Sequence, residues 1–111
     1  MPMKHDLIVV IVNKGQNVGI VKAAKAAGAE GATIIPGRGT GINEQKKLFG
    51  IVIEPEKDVV LTIVDHEISQ KVLNAVINAG SLDRPATGIA FMLELSKVAG
   101  IAHLADKLVN D

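Results

Sequence analysis

The chain contains an internal repeat. Laid over itself with an offset of 52 residues, so that Asp6 falls on Asp58, it matches in kind along both halves. Asp6-Leu-Ile-Val-Val-Ile-Val12 lies on Asp58-Val-Val-Leu-Thr-Ile-Val64, and each is a nearly unbroken apolar run of the sort a covered strand requires. Behind the first run Val18, Ile20, Val21, Ala24 and Ala27 recur at helical spacing up to Gly28. Behind the second, Ile68, Val72, Leu73, Val76 and Ala79 do so up to Gly80. At both Ala-Gly pairs the glycine is expected to close its helix in the left-handed conformation, with Asp65 capping the second helix and Asn17 the first. A strand at Gly31–Pro36 follows helix one, and its counterpart Thr87–Leu95 follows helix two. The order is β-α-β, twice.

Duplicated β-α-β units fold most naturally as an α+β, ferredoxin-like domain, a four-stranded antiparallel sheet with both helices on one face. The other face remains. Ile8 to Val12 and Val59 to Leu61 are apolar at successive positions, so the helix-free face also needs cover, and a chain this short supplies it most economically with further copies of itself. A homo-oligomer is expected. Between the halves, Gly37 to Lys47 reads as a flexible loop and Leu48–Glu54 as a short strand extending a hairpin, with Pro55 beginning its turn. Ile101, Leu104, Ala105 and Leu108 predict a C-terminal helix from about residue 100 to 109.

A length of 111 residues fits a single domain over 1–111. Lys+Arg equals Asp+Glu at twelve each, which leaves no net field to draw nucleic acid or an anionic membrane surface. The only aromatics are Phe49 and Phe91, too few for an RNA-stacking sheet. The absence of Cys rules out disulfides, thiolate metal sites and a Cys nucleophile, and suits a reducing, cytoplasmic setting. The apolar run near the start is too brief for a signal-peptide core or a membrane span, so membrane insertion is not expected.

Gly37, Gly39 and Gly41, with Arg38 and Thr40 between them, leave backbone amides open to an anion while Arg38 adds a fork of donors. The spacing matches neither the Walker loop nor the dinucleotide fingerprint, and a plain hairpin fits it equally well. The other arginine, Arg84, stands in the loop Ser81–Gly88, where an anion site and a solvated pair with Asp83 are both open. His5, His66 and His103 lack metal-ligand spacing, and His66-Glu67 reads as solvent-facing. Ser69, Ser81 and Ser96 have no nucleophile-elbow context, and Glu44 and Asp83 form no acid-base pair. No catalytic constellation emerges, so an enzyme is not expected.

The order of elements, the Thr33-Ile-Ile-Pro-Gly-Arg-Gly segment and the Thr87-Gly-Ile-Ala-Phe strand resemble the PII nitrogen-regulatory signalling proteins and their PII-like relatives. The resemblance implies a homotrimer with adenine nucleotides in the clefts between subunits, and a loop after the second strand that engages a target enzyme or membrane transporter. By position it assigns ligand contacts to Thr33, Gly37, Gly39, Val64 and Gly88, to which the loop reading adds Arg38, Arg84 and Thr87. There are departures. The loop from Gly37 to Leu48 is short and has no Tyr to uridylylate; Ile89 stands where the family has a lysine, and Gly100 and Ala102 where it has basic residues, while Lys97 keeps another. The expectation is a divergent PII-like regulator sensing a nucleotide or other small anionic effector. The alternative is a small-ligand or metal-binding oligomer resembling the copper-tolerance CutA proteins or the amino-acid-binding ACT domains.

Overall fold

The computed structural model describes residues 4–40 and 46–101. Strand β1 (His5–Asn13) buries Ile8, Val10 and Val12 almost completely, because alternate side chains of a strand point to one face and here that face meets the helices. Helix α1 (Asn17–Ala26) and strand β2 (Thr33–Arg38) follow. The hairpin strands β3 (Lys46–Leu48) and β4 (Ile51–Ile53) come next, then β5 (Glu56–Asp65), α2 (His66–Gly80) and β6 (Gly88–Leu95). The main sheet is antiparallel throughout in the order β2-β5-β1-β6, the expected ferredoxin-like arrangement. The core lies between sheet and helices, where Ile8, Val10, Val12, Val60 and Val64 meet Ile20 and Ala24 of α1 and Val72 and Val76 of α2. Each buried Ile or Val among them contributes roughly 1.5–3 kcal/mol by leaving water.

The opposite face is equally apolar, and no described element packs over it. Register aligns Ile35, Val59, Ile11 and Ile89 in one row across the strands, Thr33, Leu61, Val9 and Phe91 in the next, and Ile63, Leu7 and Leu93 in the third. At its margins Ile63 remains 46 % and Phe91 42 % exposed. Only the central Val9 is shielded by its neighbours, at 8 %.

Several local expectations are corrected. Strand β2 starts at Thr33 and runs on through Arg38, so Gly37 and Arg38 are sheet residues paired with Lys57 and Glu56, not part of a loop. Lys46–Leu48 is likewise a strand, paired with Ile51–Ile53 in a hairpin sheet of its own. Asn17 is not the cap of α1: it is the first helical residue, and its amide donates to Asp58 at 2.7 Å while Gln16 occupies the cap without a side-chain bond. Asp65 does cap α2, accepting from the Glu67 N–H at 2.9 Å. At the far end of α2 the left-handed residue is Ser81, and Gly80 stays helical. Its lack of a side chain serves packing, since a Cβ there would stand 2.9 Å from Leu82 Cδ2 and 3.1 Å from Ile20 Cδ1. The predicted C-terminal helix falls mainly on residues outside the described ones.

Candidate ligand clefts at the rim of the open sheet face

Strand β2 is shorter than β5, and beyond Thr33 the end of β5 is unpaired on that side. The gap is a cavity of about 650 Å³ bounded by the α1–β2 loop Gly28–Ala32, by Thr33, by Leu61–Asp65 of β5 and by the segment Val98–Ile101. Thr33 and Val64 both line it, but differently. Thr33 belongs to the open face, whereas Val64 is 4 % exposed with its side chain in the core. The side chain that the β5 end turns to the open face is Ile63, because a shift of one residue along a strand exchanges its faces.

At the other end of β2 lies a second cleft of about 300 Å³, lined by Lys14, Pro36, Gly37, Arg38, Glu56, Lys57 and Asp58. Its carboxylates are committed. Glu56 meets Lys14 at 2.8 Å; hydrogen bonding within that pair, then its charge attraction, holds the Glu56 carboxyl below and the Lys14 ammonium above their ordinary values. Asp58 accepts from the Asn17 amide at 2.7 Å and the Gly15 N–H at 2.9 Å, which in that order hold its carboxyl low. Arg38 is exposed, and among the described residues its guanidinium has no hydrogen-bond partner. Gly39 continues the chain with its N–H donated to the Pro55 carbonyl at 3.2 Å.

The remaining candidates stand on the far edge of the sheet. In the loop 81–87 the Thr87 hydroxyl lies 2.9 Å from both the Ser81 and Arg84 carbonyl oxygens and donates to one at a time. Gly88 opens β6 at φ +148°, where a Cβ would come within 2.4 Å of the Ile11 carbonyl oxygen. Arg84 is exposed, and no side-chain bond joins it to Asp83 among the described residues.

The structure thus places the eight sequence candidates in three groups. Thr33 and Val64 share the large cleft, Gly37 and Arg38 share the cation cleft with Gly39 beside it, and Arg84, Thr87 and Gly88 share the far loop. Pairing aligns Pro36, Asp58, Val12 and Gly88 across the strands, so the cation cleft and the far loop lie at the same end of the sheet. Two polar residues missed in the sequence bridge them. Lys57 Nζ donates to Asn13 Oδ1 at 2.7 Å, and Asn13 Nδ2 donates to the Ala86 carbonyl at 3.3 Å. A signal was present, since Lys57 stands two residues before Val59 and so shares its open-face parity. His66 is also not purely solvent-facing: Nδ1 lies 2.7 Å from the buried Asp6 carboxylate.

Sheet order and helices on one face define the class as a ferredoxin-like α+β protein. The family model of nitrogen regulatory protein P-II matches residues 5–103, and the chain belongs to that family. Among solved structures it is similar to Arabidopsis thaliana PII bound to citrate, at a TM-score of 0.69 and 20 % identity over 89 % of this chain and 84 % of that one. It is also similar to a Bacillus cereus protein related to NIF3, at a TM-score of 0.65 and 20 % identity over 87 % of this chain but 27 % of that one. No curated protein matches its sequence. No helix among the described residues is long and apolar enough to cross a membrane.

Proposed function

We propose that the protein is a non-enzymatic PII-like regulator, one domain per chain, whose copies close on one another through the open sheet faces as a homotrimer. A nucleotide or other small anionic metabolite is sensed in clefts at the seams. The observation that carries this reading is the position of the ligand candidates on the rim of the uncovered face. Thr33 ends one apolar row, and Gly37, Lys57 and Asn13 form the polar row next to another. Apolar rows of this extent are what self-association buries, and a rim residue then faces a neighbouring chain.

The two clefts on β2 also fit the two ends of one ligand. Four residues separate Thr33 from Gly37, about 13 Å along a strand. An apolar, ring-bearing end fits the large cleft, and an anionic end fits Arg38, Lys14 and Lys57. These cations take over part of the charge that the family supplies elsewhere. At its lysine position stands Ile89, which is 56 % exposed and contributes apolar area to the face. The citrate bound by the Arabidopsis protein supports a small polyanion as an effector class. The hairpin β3–β4, a separate two-stranded sheet, stands after the cation cleft in the chain and reports occupancy to a protein partner, a target enzyme or a membrane transporter, from the cytoplasm.

Titration calorimetry with ATP, ADP, AMP, cyclic AMP, citrate and bicarbonate tests the reading. Binding by at least one, weakened about tenfold or more by Arg38→Ala, is expected, because a charge-assisted contact is worth roughly 1.5–3 kcal/mol. Silence from all six would overturn it.

A further inference from the structure

Asn13 stands where the cation cleft and the far loop meet. It ends β1 opposite Lys57, and both ends of its side-chain amide are used. An ammonium can only donate, so the contact from Lys57 Nζ at 2.7 Å fixes which end of the amide is oxygen. That choice turns Nδ2 to the Ala86 carbonyl at 3.3 Å. The orientation of one amide therefore depends on the ammonium of Lys57, a residue that also lines the cation cleft.

The bond falls on a strained spot. Ala86 has φ +63°, a left-handed conformation that costs an L-residue roughly 1–2 kcal/mol, and Gly88, two residues on, takes φ +148°. The Thr87 hydroxyl ties the loop to its own carbonyls, so Asn13 supplies the tie from this turn to the neighbouring strand.

We infer that Asn13 is a positioning residue that couples the cation cleft to the loop 81–87. With the Lys57 ammonium on its oxygen, the amide holds Ala86 in its left-handed turn. When an anion in the cleft draws that ammonium away, the amide loses its fixed orientation and the loop carrying Arg84 and Thr87 loosens. By linkage, whatever binds that loop alters anion affinity by the same factor. Only the identity of the anion rests on the function proposed above; the coupling rests on the three residues.

Hydrogen-exchange mass spectrometry on the full chain without ligand tests the coupling. Asn13→Ala and Lys57→Met are each expected to speed exchange in residues 82–88 about fivefold, the worth of one net hydrogen bond, with no change in the middle of α2. The double variant should exchange no faster than either single one, and Lys57→Arg, which keeps a donor, should restore the slow rate. Should Lys57→Met fail to fold, Lys57→Ala, which also removes the donor, replaces it in the same comparison. A loop indifferent to loss of the ammonium, or effects that multiply in the double variant, would overturn the coupling. Addition of citrate or ATP, with binding read independently by calorimetry, bears on the functional reading, so the two failures are distinguishable.

Discussion

The Asp6 carboxylate, 1 % exposed, lies 2.7 Å from Nδ1 of His66 and thereby joins the first strand to the first turn of α2. Burial pushes this carboxyl up, but the neighbouring Ser69 hydroxyl, the His66 hydrogen bond and the charges of His66 and His5 together outweigh it and hold it below its ordinary 3.8. The folded value therefore lies under the unfolded one. Its contribution to stability is complete above the ordinary value and is lost as pH falls through the lower, folded one. Asp6→Ala is expected to cost about 1.5–3 kcal/mol in urea unfolding at pH 7. The difference from wild type should shrink in the acid range below 3.8. An equal difference at both pH values would contradict the pairing.

The repeat made the order of elements and the ferredoxin-like sheet legible, because each half runs strand, helix, strand with apolar residues at matching positions. It could not separate the two faces, since the runs are apolar at odd and even positions alike. Thus Ile63 and Val64 look alike in the run and both line the large cleft, and only register shows that Ile63 turns to the open face and Val64 to the core. Polar partners distant in sequence were equally hidden. Asn17 looks like a cap until Asp58, 41 residues away, is seen to take its amide. Asp6 and His66 stand 60 residues apart.

Gly88 is where backbone meets backbone. A Cβ at this residue would lie 2.4 Å from the Ile11 carbonyl oxygen, on a φ of +148° that side chains disfavour. Neither atom is the end of a flexible side chain. Gly88→Ala is expected to destabilise the fold by about 3 kcal/mol or more, measured by chemical denaturation. Gly39→Ala, with nothing within 4 Å of its Cβ, should be nearly silent in the same measurement.

Phe49 turns the β3–β4 hairpin. It is 95 % exposed at φ +52° and is followed by Gly50 at φ +79°, the two-residue turn that Asn-Gly fills most readily. A bulky ring there carries both strain and exposure. Phe49→Asn should strengthen the hairpin by about 1 kcal/mol, read from slower amide exchange in β3 and β4. The same change should weaken capture of a protein partner if the ring is its anchor.

The open face offers a different separation of effects. Phe91→Glu and Leu93→Lys place charges on exposed apolar rows over which no described element packs. Each should leave circular dichroism and monomer unfolding close to wild type while lowering the assembly state, because burying an unpaired charge costs several kcal/mol. Loss of the monomer fold itself would show that the face is needed within the chain.

Sedimentation velocity of the unmodified protein across micromolar dilution tests the central claim most directly, since the clefts become inter-subunit sites only when copies cover the sheet. The account predicts a species of three times the 11.6 kDa chain that persists on dilution. A stable, well-behaved monomer at those concentrations would contradict it.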